Sequence, residues 1–492
     1  MGNDQKVVVV SRQAWTTLAI LSSTLLTVFF SETMLLPAIP EIINDFKISY
    51  GTAAWIFSSY LIVAAVMTPV AGRLSDLYGK KKILLILLVI YIAGLIAGGF
   101  SDSISFLLVT RTIQGVGLAA IPAAFSLLRD TFPPARLAIA VGVFGSAYSA
   151  GSVVGLLIGA SIIQTFGWHA TFLAIVPFAA LVTLLIYGFV KEKTTSMTAN
   201  ASKGQEAIAN KKGILSSIDI KGIAALSSTI TFFLIALTFI QIGINPESSP
   251  QIAAAFMISG ISLLVFIRLE RKAAPPFVDL RLLKHKTLNP AYVLLVVTGI
   301  MMFMIYPTIV QLVRSPLPLG FGGDSVDAAN VQLPFMINFL VFASVTPLII
   351  NKIGSVRPTV IGGIISLLGA IGLFMFHSTE FMVSAFLAII ASGLSLSMTA
   401  TWNVVVSSSP KEFTGISVGV GALLLFIGMA IGPALAGIYM MNQETIEQGT
   451  FPSGISYNMV FLTLVVLSIV SVRYALVLKN NNNNNKKKNK IT

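Results

Sequence analysis

Long apolar stretches constrain this sequence more than any other feature. Fourteen of them, each close to the roughly 20 residues that a helix needs to cross a bilayer, follow one another with short polar interruptions. Only 10% of the residues are charged, whereas soluble domains average about 25%. Because the bilayer core offers the backbone no water to bond, stretches of this length are predicted to be helices. The sequence thus predicts an all-α integral membrane protein with fourteen spans, numbered 1 to 14 along the chain.

The basic residues predict how the spans are oriented. Of 32 Lys and Arg residues, only Lys47 and Arg314 fall in loops on one side of the membrane, and Arg111 falls within span 4. The others lie on the side of the two chain ends, and loops enriched in Lys and Arg are cytoplasmic. We therefore expect both termini in the cytoplasm and the protein in the cell (plasma) membrane. The net charge of +13 then reports topology, and no nucleic-acid partner is expected.

The predicted spans group into two six-helix bundles with two extra helices between them. The predicted blocks are residues 1–190 (spans 1–6), 191–222 (a polar cytoplasmic linker), 223–267 (spans 7 and 8), 268–290 (a basic cytoplasmic linker), 291–478 (spans 9–14) and 479–492 (an Asn/Lys tail without structure). Gly142, Gly151, Gly155 and Gly159 of span 5 recur at one constant separation as Gly419, Gly428, Gly432 and Ala436 of span 13. Two repeated six-span halves are typical of secondary transporters, whose substrate site lies between the halves near the bilayer midplane.

The polar break between spans 2 and 3, residues 72–82, contains Gly72, Arg73, Asp76, Gly79 and Lys80. We predict a tight reversal there, since glycine has no Cβ, and we expect Asp76 to accept hydrogen bonds from free N–H groups at a nearby helix start. The spacing G-x3-D-x2-G-K-K-K resembles the signature between the second and third spans of major facilitator superfamily transporters. Because the segment lies far from the midplane, we expect it to gate transport rather than to bind substrate.

The chain resembles the fourteen-span drug:proton antiporters of that superfamily at two further places. Residues 31–40, with an acid–threonine pair that begins at Glu32, resemble their first-span signature, and residues 111–117 resemble their fourth-span signature. The resemblance implies a major facilitator fold. It also implies that proton coupling and substrate contact rest on Glu32, Arg111 and Gln114.

Glycines at i, i+4 and i+8 in spans 5 and 13 form one stripe on each helix, which lets a neighbouring helix approach closely. The pattern resembles the antiporter signature of the drug-export branches, although span 5 has Leu156 where those proteins carry proline. The resemblance implies a helix-packing role in antiport for Gly142, Gly151, Gly155, Gly159, Gly428, Gly432 and Pro433.

Glu32 and Arg111 are the clearest ionisable residues within the predicted spans. A charge in lipid is costly, so such residues usually face a cavity or a partner. Counting about 1.5 Å per residue along span 1, predicted to end at residue 37, puts Glu32 close to the outer face. An interfacial acid is the alternative interpretation. The same count along span 4 places Arg111 at a similar depth, so we expect an ion pair or a water-linked pair between Arg111 and Glu32.

The function follows from what the spans contain and what they lack. The chain has no cysteine, and we find no metal-ligand cluster, nucleotide-binding loop or catalytic triad, so no enzyme, metal or cofactor is predicted. We predict a secondary active transporter that exports hydrophobic or cationic drugs or toxic compounds in exchange for protons by alternating access.

The expected partners are a small-molecule substrate, protons and lipid, and we expect a monomer. The alternative is a transporter of an anionic or neutral metabolite with Arg111 as its counter-charge. The repeated halves disfavour a receptor or membrane-embedded enzyme.

Overall fold

The computed structural model describes residues 10–192, 220–242, 248–273, 280–409, 414–447 and 449–488. Within these residues, 14 helices are long and apolar enough to cross a membrane. The predicted all-α membrane fold with fourteen spans is therefore confirmed. We call the face where span 1 begins and span 14 ends the terminal face, and the other one the distal face.

The helices follow the predicted order. In the first half, span 1 consists of the helices Arg12–Thr33 and Ile39–Phe46 joined by the short turn Leu36–Ala38. Span 4 is also interrupted and consists of Ile104–Gly115 and Ala120–Thr131. Spans 2, 3, 5 and 6 are single helices, Tyr50–Tyr78, Lys80–Gly98, Pro134–Phe166 and Trp168–Phe189. Spans 7 and 8 are Ile220–Ile242 and Ser248–Lys272, followed by the short helix Leu280–Lys284. In the second half, spans 9 to 14 are Leu288–Arg314, Ser325–Ile353, Val356–Met375, Glu380–Ser408, Thr414–Tyr439 and Gly454–Lys488. An antiparallel hairpin of strands β1 (Gln443–Ile446) and β2 (Gly449–Pro452) lies between spans 13 and 14 and is not among the predicted elements.

The two halves repeat one helix pair. Span 5 packs along span 1 in the first half, and span 13 packs along span 9 in the second. A Cβ at Gly155 would lie 2.5 Å from the carbonyl oxygen of Phe30, and a Cβ at Gly432 would lie 2.6 Å from that of Ile300. Only a residue without a side chain permits such an approach of two backbones. The glycine stripes therefore lie at equivalent helix contacts in the two halves.

The halves meet along two seams, span 2 against span 13 and span 5 against span 10. At the first seam Ser58 Oγ donates a hydrogen bond to the carbonyl oxygen of Ala430 at 2.9 Å. Span 7 packs against both helices of this seam, and Trp55 Nε1 of span 2 donates to Thr238 Oγ1 of span 7 at 2.7 Å. Span 8 packs mainly on span 7. The two extra helices thus lie outside the paired halves and cover one seam.

Span 1 is longer than predicted. The sequence prediction ends it at residue 37, but the apolar span continues through the second helix to Phe46. The chain makes a short turn at Leu36–Ala38 and then re-enters a helix with Pro40 in its first turn. Proline is tolerated there because the first backbone N–H groups of a helix have no intrahelical acceptor. Pro37 and Pro40 therefore interrupt span 1 without ending it.

The predicted loop at residues 72–82 is mostly helical. Span 2 continues to Tyr78, and span 3 begins at Lys80. The reversal falls on Gly79 alone, whose φ of +99° is a conformation that L side chains rarely adopt. Gly72, Arg73 and Asp76 thus lie in the last turns of span 2, because nothing between Gly72 and Tyr78 breaks a helix. The side chains of Arg73 and Asp76 are outside the described residues.

The C-terminal tail also departs from its prediction. Span 14 continues as a helix to Lys488 rather than ending near residue 478. The Asn/Lys run contains neither Gly nor Pro to stop the helix. Asn481 Nδ2 donates to the carbonyl oxygen of Lys286 at 2.6 Å, which holds the extension against the segment before span 9. Residues 489–492 and most of the predicted linker at 191–222 lie outside the described residues.

Candidate functional site

Glu32 lies in the last turn of the helix Arg12–Thr33, immediately before span 1 is interrupted. Its side chain is buried, with a residue exposure of 2%. Its Oε1 has no hydrogen-bond partner among the described residues. Because span 1 continues to Phe46, Glu32 lies well inside the span, and the interfacial position expected from the residue count is wrong.

Arg111 lies in span 4, four residues before that helix is interrupted after Gly115. It is fully buried, and its guanidinium carbon lies 4.4 Å from the centre of the Tyr60 ring. Its Nε donates to the carbonyl oxygen of Ile56 at 3.2 Å, and its Nη1 donates to that of Ser31 at 3.3 Å. The guanidinium therefore ties span 4 to spans 1 and 2, and it reaches span 1 at the residue before Glu32.

The expected ion pair between Arg111 and Glu32 is not formed. The salt bridges within 4.0 Å among the described residues include Lys80–Asp130 and Arg314–Glu41, and Arg111 and Glu32 form none with each other. Arg111 instead satisfies its N–H groups with neutral oxygens, and its Nη2 has no partner in the part of the chain described. Among the described residues, the site thus holds a buried carboxyl oxygen and a buried N–H group that both lack a hydrogen-bond partner.

Gln114 positions Arg111. Its Oε1 accepts a hydrogen bond from Arg111 Nη1 at 2.9 Å, and its Nε2 donates to the carbonyl oxygen of Gly94 in span 3 at 2.8 Å. A Cβ at Gly94 would lie 3.0 Å from Gln114 Cγ, so span 3 leaves room for this side chain only because Gly94 has none. Gln114 therefore fixes the guanidinium against span 3 and lies one helical turn beyond it.

The glycine stripe of span 5 reaches the same place. Thr33, the residue after Glu32, donates from Oγ1 to the carbonyl oxygen of Ser152 at 2.9 Å. A Cβ at Gly155 would lie 2.5 Å from Thr33 Oγ1, and Gly151 and Gly159 contact the backbone of span 1 one turn to either side. Of the other predicted packing residues, Gly428 contacts the backbone of span 9, Pro433 lies within span 13, and a Cβ at Gly142 would have no described neighbour within 4 Å.

Aromatic side chains continue from this site into the second half. Phe29 of span 1 and Tyr148 of span 5 have ring centroids 4.1 Å apart, and Tyr148 lies 6.0 Å from Phe339 of span 10. Phe339 stacks on Phe335 at 6.2 Å, and Phe335 meets Tyr306 of span 9 at 5.6 Å. We call these five residues the aromatic path.

The aromatic path passes close to the buried carboxyl group. Tyr148 and Tyr306 both lie near enough to interact electrostatically with Glu32. None of the five aromatic residues is predicted from the sequence, because phenylalanine and tyrosine face lipid as readily as a cavity. One signal was available: tyrosine concentrates at membrane interfaces, whereas Tyr148 and Tyr306 lie inside their spans.

The predicted gating residues lie at the terminal face, away from Glu32. Lys80 forms an ion pair with Asp130 at the end of span 4. The backbone N–H groups of Lys80 and Lys81 donate to the carboxylate of Glu192, at 2.7 and 3.3 Å. Glu192 thus satisfies the free N–H groups at the start of span 3, where the helix dipole favours an anion. The sequence prediction places Glu192 in a linker and gives it no role.

The distal face holds polar contacts between the halves. Arg314 Nη1 donates to Glu41 Oε1 at 2.6 Å and to the carbonyl oxygen of Pro37 at 3.4 Å. Gln164 Nε2 of span 5 donates to Asp324 Oδ2 before span 10 at 2.7 Å. Among the described residues, a Cβ at Gly142, Gly145 or Gly419 would meet nothing within 4 Å, so spans 5 and 13 are less tightly packed there toward the terminal face. In this described part of the chain, polar contacts thus join the halves at the distal face.

Comparisons with known proteins agree with this fold. The family model of the Major Facilitator Superfamily matches residues 21–433. The chain is 25% identical over 425 residues to Multidrug resistance protein 3 of Bacillus subtilis (strain 168), covering 84% of this chain and 77% of that one. It is 26% identical over 434 residues to the Tetracenomycin C resistance and export protein of Streptomyces glaucescens, covering 87% and 76%. The crystal structure of the human organic anion transporter MFSD10 superposes with a TM-score of 0.64 at 15% identity, covering 94% of this chain and 99% of that one. A match over most of the spans shows that the chain belongs to the Major Facilitator Superfamily and is a multi-pass transporter of the cell membrane, not an enzyme.

Proposed function

We propose that this transporter exports hydrophobic, often cationic compounds in exchange for protons, by alternating access between its two halves. The observation that carries the proposal is the buried Glu32 carboxyl group, with one oxygen unpaired among the described residues, beside the aromatic path that joins the halves. The proposal includes a cytoplasmic terminal face, as the basic residues indicate, and a single chain as the working unit.

An acid next to aromatic rings suits a cation better than any other ligand class. A buried carboxylate is costly in a membrane protein unless a proton or a cation neutralises it. Aromatic faces attract cations through their quadrupoles and offer apolar surface to the rest of the compound. A proton and a cationic substrate would then compete for Glu32, and this competition couples export of one to entry of the other.

Arg111 is poorly placed to serve as the counter-charge of an anion. It is fully buried, and its Nε and Nη1 already donate to oxygens of the protein. Those bonds leave only Nη2 without a partner in the described part of the chain. This geometry favours cation export over transport of an anionic or neutral metabolite. Two of the relatives reported above are named for multidrug resistance and for export of tetracenomycin C, which also favours export.

Proton release on substrate binding tests the proposal. Tetraphenylphosphonium is a suitable probe, because it is a hydrophobic cation with no titratable group and any released proton must come from the protein. We expect the purified wild type to release about one proton per bound cation in weakly buffered solution, and Glu32→Gln to release none. Glu380→Gln is the matched control, since Glu380 is exposed at the start of span 12. Equal release from wild type and Glu32→Gln would contradict the proposal.

A further inference from the structure

Gln332 extends the aromatic path by one turn in the second half. It lies on span 10 three residues before Phe335 and seven before Phe339, so the three side chains share one helix face. That face is the buried one, and Gln332 itself is only 1% exposed. Phe335 and Phe339 contact Tyr306 and Tyr148, which both lie near Glu32. Gln332 is therefore a buried polar side chain on the face of span 10 that meets the first half.

Half of the Gln332 amide is unsatisfied. Nε2 donates a hydrogen bond to the carbonyl oxygen of Tyr306 at 2.9 Å, while Oε1 is buried and has no partner among the described residues. Exchanging the two atoms would bring two carbonyl oxygens into contact, so the amide can only be oriented this way. Buried amide oxygens nearly always accept a hydrogen bond, because leaving one unpaired is costly. The oxygen of Gln332 is thus an acceptor without a donor.

We propose that Gln332 Oε1 accepts a hydrogen bond from an N–H or O–H group of the bound compound. This inference rests on the proposed function: Glu32 in the first half neutralises the positive charge, the aromatic path covers the apolar body, and Gln332 in the second half binds a donor remote from the charge. A site with a buried acceptor rejects an analogue that lacks the donor more strongly than it rejects a change in apolar size. The transporter therefore selects cations that carry a second donor group.

Two acridine dyes separate the donor from the charge. Proflavine and acridine orange share one tricyclic ring system and are both cations at neutral pH, but the amino groups of proflavine are fully methylated in acridine orange. Their dissociation constants are measured by fluorescence titration of the purified full-length chain in lipid nanodiscs. We expect wild type to prefer proflavine, and Gln332→Met to weaken proflavine binding by about tenfold while changing acridine orange by less than about twofold. Glu32→Gln should weaken both dyes.

Two further variants keep the test decisive. Asn338→Leu is the matched control, because Asn338 is an amide on the same span whose Nδ2 donates to the Pro334 carbonyl oxygen and whose Oδ1 accepts from Ser392. It should leave the preference between the dyes unchanged. Gln332→Glu in its protonated form donates its O–H to the Tyr306 carbonyl oxygen and keeps an acceptor oxygen, so it should keep the preference for proflavine and provides the comparison if the methionine variant does not fold.

The outcomes distinguish this inference from the function on which it rests. If Gln332→Met weakens both dyes equally, or neither, while Glu32→Gln weakens both, the role of Gln332 is refuted and cation binding at Glu32 stands. A Gln332→Glu variant without the preference refutes it as well. If wild type binds neither dye, or if Glu32→Gln binds both as wild type does, the proposed function is refuted and the inference with it.

Discussion

Arg111 carries a full charge inside the first half, yet the atoms that hold it are neutral. Its donors reach the carbonyl oxygens of Ile56 and Ser31 and the amide oxygen of Gln114. A guanidinium presents five N–H donors in one fixed plane and can join several helices at once, whereas the ammonium of lysine is a compact point charge. At the scale of this residue, the shape of the group matters at least as much as its charge.

The substitution Arg111→Lys separates shape from charge. We expect it to slow cation efflux from proteoliposomes by at least about tenfold, because lysine cannot reach three acceptors on different helices and a lost hydrogen bond to a charged group is worth about 1.5–3 kcal/mol. Arg473→Lys is the control, since Arg473 is exposed on span 14 and should tolerate the change. A wild-type rate for Arg111→Lys, at equal amounts of folded protein, would mean that a positive charge alone is sufficient.

At the scale of single helices, the interruptions of spans 1 and 4 form the site. Glu32 lies in the last turn before the interruption of span 1, and Arg111 lies four residues before that of span 4 and donates to the carbonyl oxygen of Ser31. The two charged residues could be predicted, because a charge is conspicuous in an apolar run. The interruptions could not, because a hydropathy count treats a turn inside such a run as more helix. The partners of Arg111 are backbone carbonyls, which every residue has, so they leave no trace in the sequence.

The glycine stripe makes a prediction of its own at this scale. Gly155→Ala should destabilise the protein by about 1–3 kcal/mol, the usual cost of forcing extra volume into a packed interior. The added Cβ would lie 2.5 Å from the Phe30 carbonyl oxygen and from Thr33 Oγ1. Gly142→Ala on the same helix is the matched control, since a Cβ there meets none of the described residues within 4 Å. Thermal unfolding in detergent compares the two variants. Equal melting temperatures would show that span 1 can move away from the added Cβ without loss of stability.

At the scale of the whole molecule, we interpret the structure as one of the two states that the proposed alternating access requires. The span number, the repeated halves and the six-plus-two-plus-six order could be predicted, since they depend on hydropathy and spacing along the chain. Which face of the molecule is closed could not be predicted, because closure depends on contacts between residues far apart in sequence. Arg314 illustrates the difference: its charge is unusual for the distal loops, but its bond to Glu41 joins residues that are 273 positions apart.

The fastening at the distal face should control how often that face opens. Arg314 contributes an ion pair with Glu41 and a bond to the Pro37 carbonyl oxygen, and both join span 9 of the second half to the end of span 1. The pair is partly exposed, with side-chain exposures of 18% and 31%, so we expect its loss to cost only about 1 kcal/mol. The two conformations of a protein that alternates between them differ in free energy by a few kcal/mol at most. A change of about 1 kcal/mol in that difference alters the ratio of their populations about fivefold.

Distance measurements between spin labels can detect this shift, because the chain contains no cysteine to interfere. Asp102→Cys after span 3 and Glu380→Cys at the start of span 12 place one label on each half at exposed distal positions. With both labels present, Arg314→Gln should increase the population with a long distance, and adding tetraphenylphosphonium should change the ratio in both backgrounds. Lys352→Gln, an exposed change at the terminal end of span 10, should leave the distribution as it is. An unchanged distribution in Arg314→Gln would show that the closed distal face is held by the packing of spans 5 and 13 and not by its ion pair.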